Sequence, residues 1–116
     1  MVFIWSYPQD EIIVEKSYYI VFLVYNEAIR EEVLSIIRKY NIESYDIVES
    51  IINKPRHGEP RLKDDVWPGE GEMLSFICDS SLKEKVKKDI IEFNKNVVHE
   101  NEIIKLYTSK IEDLVY

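Results

Sequence analysis

The sequence predicts an α+β sandwich in which an antiparallel sheet carries two helices on one face. Three observations point to it. Strongly apolar, β-branched segments alternate with amphipathic helical ones in the order strand, helix, strand, strand, helix, strand. All three glycines and three of the four prolines fall between Asn53 and Gly71, leaving the chain on either side nearly free of breakers. At 116 residues the chain has the length of one domain and can bury a core without disulfide or metal staples. A βαββαβ order of this kind is the ferredoxin-like arrangement.

Each element has its own signal. Tyr18 to Tyr25 is aromatic and β-branched throughout and reads as a central strand. Asn26 is placed as an N-cap, and Ile29, Val33, Ile36, Ile37 and Tyr40 follow at helical spacing, with Asn41 as the stop. Tyr45 to Ile52 reads as the second strand and Met73 to Cys78 as the third. Asp79, Ser80 and Ser81 form a cap cluster, with Ser81 and Glu84 spaced as a capping box, and Leu82, Val86, Ile90, Phe93 and Val97 form the apolar stripe of the second helix. Ile103 to Tyr107 reads as the fourth strand, Ser109 and Glu112 as the start of a last helical turn, and Val2 to Tyr7 as an added edge strand. Tyr18, Tyr19, Tyr45 and Tyr107 are expected to give the uncovered sheet face an aromatic surface, which favours self-association. The whole of residues 1–116 is taken as one domain, with a core of about 17–108 and a long loop of about 53–71.

Composition excludes several classes of function. With 15 basic and 22 acidic side chains the net charge is -7. That surface disfavours general binding to nucleic acid or to anionic membranes, which needs clustered Lys and Arg. No apolar run approaches the roughly 20 residues that span a bilayer, and the N-terminus lacks the pattern of a secretory signal; a cytoplasmic protein is expected. Cys78 is the single cysteine, so an intramolecular disulfide is excluded and a buried thiol is the expected state. Neither a nucleophile elbow nor an HExxH word is present, and the protein is not expected to be an enzyme.

The loop is the informative segment. A hairpin needs only about two to five connecting residues, and the stretch from Asn53 to Gly71 far exceeds that. It mixes Lys54, Arg56, Arg61 and Lys63 with Glu59, Asp64, Asp65, Glu70 and Glu72. The basic groups beside a Gly-rich bend could hold an anion, whereas the acids would oppose that or bind a cation; a solvated loop with no ligand is the plain alternative. Trp67 suits either packing at the loop base or stacking on a ligand ring. His57 and His99, the two histidines, are the alternative metal ligands, although their spacing fits no metal motif.

The element order, the long loop between strands two and three, and the words Gly58-Glu-Pro60 and Trp67-Pro-Gly-Glu70 resemble PII-like proteins, relatives of the nitrogen-regulatory PII signalling proteins. The architectural likeness runs from about Tyr18 to Tyr107, and the motif likeness from about Gly58 to Phe76. The resemblance implies a homotrimer with sheets inward and helices outward. It implies three intersubunit clefts that take a small effector such as an adenine nucleotide, and a mobile loop that engages a target protein. His57 to Lys63 would be the mobile arm and Trp67 to Glu70 its return. The implied ligand-binding residues are Arg56, Gly58, Arg61, Trp67, Gly69 and Glu70. The pattern departs at Asn96 to Glu102, where the signalling proteins have a glycine- and lysine-rich phosphate loop and this chain has no glycine and two carboxylates. It departs again in having no tyrosine in the loop. CutA-like trimers, which share the build and associate with divalent cations, are the alternative, with an interaction module lacking a small ligand as a third.

Overall fold

The computed structural model describes residues 17–116. The expected edge strand at Val2 to Tyr7 lies outside the described residues. Strand β1 (Tyr18–Asn26) leads through a 3-10 turn (Glu27–Ile29) into helix α1 (Arg30–Lys39). Strands β2 (Asp46–Ile51) and β3 (Gly71–Asp79) flank the long loop. Helix α2 (Ser80–Lys95), a second 3-10 turn (Glu100–Glu102) and strand β4 (Lys105–Lys110) complete the order. The sheet runs β2-β3-β1-β4 with every neighbouring pair antiparallel. This is the predicted βαββαβ sandwich, with β1 and β3 central.

Period-2 alternation sorts the two sheet faces. Val21, Leu23 and Tyr25 of β1 and Leu74, Phe76 and Cys78 of β3 point to the helices and are buried. Val33, Ile36 and Ile37 of α1 and Val86 and Ile90 of α2 meet them in one core cluster. Burial pushes the Cys78 thiol up to about 11, so it stays protonated near neutral pH. On the far face, the Phe22 and Tyr107 rings stack at 4.7 Å, and Val48 and Tyr107 stay half exposed. Tyr19 does not join that aromatic surface. Its odd-numbered register puts it on the helix side, where the Lys83 ammonium sits 3.9 Å from its ring centroid.

The helix ends follow local chemistry. The Asn26 side chain accepts from the Ala28 N–H at 3.0 Å, as an N-cap should, although the first turn is 3-10 rather than α. Asn41 stops α1 in the left-handed region at φ 52°. Asp79, not Ser81, caps α2: its carboxylate accepts from the Leu82 N–H at 2.9 Å, so the helix starts ahead of the expected capping box. Ser109 belongs to β4, paired with Ile20, and no helical turn forms at Ser109 to Glu112. At the far end of α2, the Asn94 side chain both donates to the Ile104 carbonyl and accepts from its N–H, each at 2.9 Å. That pair fixes where the chain enters β4.

One polar network lies at the loop's exit. Glu72, 1% exposed, accepts from the Tyr25 hydroxyl at 2.9 Å and from the Arg30 guanidinium through both Nε and Nη2. Arg30 reaches on to Glu49 of β2 at 2.9 Å. The network thus joins the end of β1, the start of α1, the edge strand and the first turn of β3. Burial alone pushes the Glu72 carboxyl up, but the Arg30 and Tyr25 hydrogen bonds to its charged form outweigh it and hold it below the ordinary value of 4.5. The stability this contributes is therefore full above the ordinary carboxylate range and is lost as pH falls through the depressed folded value. Glu72→Gln is expected to cost about 1–3 kcal/mol at neutral pH. It should also flatten the fall in stability toward about pH 3. Urea unfolding at both pH values checks this; equal acid losses in the two proteins would contradict it.

Candidate functional site

The long loop does not extend freely from the sheet. Asn53 and Arg61 pair as an isolated antiparallel bridge: the Asn53 N–H donates to the Arg61 carbonyl at 3.0 Å, and the Arg61 N–H donates back at 2.7 Å. Residues 54 to 60 are thereby tied off as a small lobe. The lobe rests on the connector between α2 and β4. The Glu59 N–H donates to Asn101 Oδ1 at 2.7 Å, and Arg61 Nη2 reaches the Asn101 carbonyl at 3.4 Å. Gly58, at φ +87°, lies directly against Asn101; a Cβ there would stand 2.6 Å from Asn101 Oδ1 and 3.0 Å from its Cα. Glycine is required at this position by both its backbone conformation and the contact.

The return leg is folded by a different set of bonds. Asp64 Oδ1 accepts from the N–H groups of Val66 and Trp67 at 3.0 and 2.6 Å, closing a tight Asx-type turn. The Lys63 N–H donates to the Gly69 carbonyl at 3.3 Å. Glu70 is ion-paired to Lys63 at 3.3 Å, and its carboxylate also accepts from the Ser50 hydroxyl at 3.1 Å. Ser50 sits at φ 57° where the β2–β3 register shifts, so the bulge aims its hydroxyl at the loop. The Glu70 carbonyl accepts from the Glu27 N–H at 3.0 Å, which ties the loop exit to the entry of α1.

Between the lobe and the sheet lies a cleft of about 390 Å3. Among the described residues its charged lining is wholly cationic, Lys54, Arg56, Arg61 and Lys105, with His57 and Asn53 beside them, over an apolar floor of Val24 and Ile103. In a chain of net charge -7, this is a local reversal of sign. Arg61 is the unusual member. It is 3% exposed, makes no ion pair among the described residues, and its Nε has no hydrogen-bond partner. Asn53 Oδ1, also unpartnered, lies beside Gly71. Burial pulls the Arg61 guanidinium below its usual basicity, and no neighbouring carboxylate offsets the effect. An unpaired buried ion costs roughly several kcal/mol, so this side chain is held where it is poorly solvated.

The predicted residues divide accordingly. Arg56 and Arg61 line the cleft, with His57 beside them, and Gly58 supports the lobe against Asn101. Trp67, Gly69 and Glu70 form the return leg and do not line the cleft. Trp67 is half-buried, as a packing residue at the loop base would be. His99 stands apart, exposed, at the start of the second 3-10 turn. The lysines and arginines around His57 repel a cation, and no group of three or more metal-type side chains forms among the described residues. Lys54, already among the basic loop groups noted in the sequence, lines the cleft as well, whereas Lys105, Asn53 and Asn101 escaped the sequence reading. Lys105 and Asn101 lie far along the chain from the loop, and only the docking of the lobe brings them in. A larger groove of about 550 Å3 between the helices holds none of the predicted residues.

No family model matches the chain, and no curated protein matches it in sequence. Solved structures do match in fold. CPII from Thiomonas intermedia K12, a nitrogen regulatory PII-like protein bound to ADP, AMP and bicarbonate, superposes with a TM-score of 0.60 at 12% identity, covering 85% of this chain and 97% of that one. The same protein bound to ADP, AMP and acetate gives 0.62 at 11% identity, covering 84% and 91%. A candidate PII-like signalling protein from Thermus thermophilus gives 0.58 at 9% identity, covering 83% and 88%. The chain therefore carries the ferredoxin-like fold of the PII-like proteins.

Proposed function

We propose that the protein is a PII-like sensor that binds a small effector where protomers meet and presents its long loop to a target protein. One observation carries the reading: the fold match to a ligand-bound PII-like structure covers 85% of this chain and 97% of that one. The adenine nucleotides held by those neighbours make a nucleotide the first effector class to try. The half-exposed Val48 and Tyr107 on the uncovered sheet face support assembly as a homotrimer with sheets inward. No helix among the described residues is long and apolar enough to cross a membrane, which accords with a cytoplasmic sensor. The role is signalling, not turnover.

Effector binding would act through the loop. The lobe is held by few bonds, and each typical hydrogen bond contributes only about 0.5–1.5 kcal/mol net. A ligand that prefers the undocked loop can therefore shift its population, by no more than its differential affinity for the two states. The lobe's contacts to Asn101 are the ones such a shift would exchange.

Light scattering and calorimetry test the reading together. The expected mass is three times the 13.8 kDa of the chain, with saturable heat from at least one of ATP, ADP, AMP and bicarbonate. A monomer, or no heat with any of the four at millimolar concentration, would overturn it.

A further inference from the structure

We infer that the cleft under the loop lobe is an oxyanion site complete within one protomer, with Arg61 as its buried anchor. The inference does not rest on the trimer or on nucleotide binding, because the Asn53–Arg61 bridge and the Asn101 contact shape the cleft from within the chain.

The cleft is enclosed on one side by the lobe and on the other by the sheet, and it offers about 390 Å3. No carboxylate lines it among the described residues. Four basic side chains and His57 converge; Arg61 is sealed below and the others are exposed at the mouth. A guanidinium has five N–H donors in a planar fork suited to two oxygens of one anion. Here the Nε donor is unspent and Nη2 holds only a long bond of 3.4 Å to the Asn101 carbonyl. The same guanidinium has no carboxylate partner, although the other buried ion, Glu72, is fully paired. A buried cation with free donors beside an open, acid-free cavity is matched by an anion that brings its own acceptor oxygens. Below the charged groups, Val24 and Ile103 give an apolar floor, and Asn53 is the neutral polar side chain in the lining. The ligand class is a small oxyanion, either a phosphate group or a carboxylate.

The test titrates the full chain with inorganic phosphate, and separately with formate, at constant ionic strength, following the side-chain Nε–H resonance of Arg61 by NMR. Arg61→Lys assigns that resonance. A saturable shift is expected with at least one anion below about 20 mM, a weak-binding range. Phosphate alone, formate alone or both would each support the site and name its chemistry. Lys54→Gln combined with Lys105→Gln, both at the exposed mouth, should weaken the saturable binding by about tenfold without altering the unfolding midpoint. Two results would overturn the inference: an Arg61 Nε–H signal that stays fixed or drifts linearly with both anions, or a double variant that binds as tightly as the parent. Since neither readout involves nucleotide or oligomeric state, failure here leaves the sensor reading standing, and failure of that reading leaves this one standing.

Discussion

Burying a charge is tolerable only when something answers it, and among the described residues this fold buries two, one midway along the loop and one just past its exit. At the exit, Glu72 is answered in full by Arg30 and Tyr25. At the lobe, Arg61 is answered only by a distant carbonyl. The contrast separates a joint of the scaffold from a side chain whose hydrogen-bonding capacity is largely unspent. A paired buried ion fixes local geometry, and an unpaired one raises the free energy of the ligand-free state. The rest of the loop's shape follows from these two anchor points and the short chain segments between them.

The anchors also explain how a long connector can be ordered and still responsive. Glu72 joins β1, α1, β2 and β3, so the loop exit moves only if the sandwich itself is disturbed. The lobe has no such depth. It is held by the Asn53–Arg61 bridge and by Asn101, a residue of the α2–β4 connector that packs on Gly58. That connector contains no glycine and supplies a cradle for the loop. Low local stability in a segment beside a cleft is what a binding loop requires.

Much of the architecture was legible in the sequence because the signals were local. The β-branched run at Tyr18 to Tyr25, the 3–4 spacing in both helices and the Asn26 cap act over a few residues, and the structure has them where they were expected, except that α2 ends at Lys95 and leaves Val97 beyond it. Errors arose where two local signals competed. Asp79 and Ser81 were both able to cap, and the carboxylate nearest the first turn took the role. Tyr19 read as surface because the period-2 phase of β1 is hidden in a run that is apolar at every position. The site was half legible. Arg56, Arg61 and Gly58 stood out by composition in a breaker-rich stretch, but Asn101 and Lys105 enter only through tertiary docking. Nor could the burial of Arg61 be read from a loop of mixed charge. A free arm was the natural expectation from glycine and proline content, which reports where regular structure stops and not whether a loop packs.

The central claim is that the lobe of residues 54 to 60 is folded onto the domain through the Asn53–Arg61 bridge and Asn101, which is what shapes the cationic cleft. Amide hydrogen exchange of the ligand-free protein measures this directly. The N–H groups of Asn53, Glu59 and Arg61 each donate to an acceptor within 3.0 Å, so they should exchange distinctly more slowly than the exposed amides of Asp65 and Val98. Exchange of all three at the rates of an unstructured chain would contradict the account.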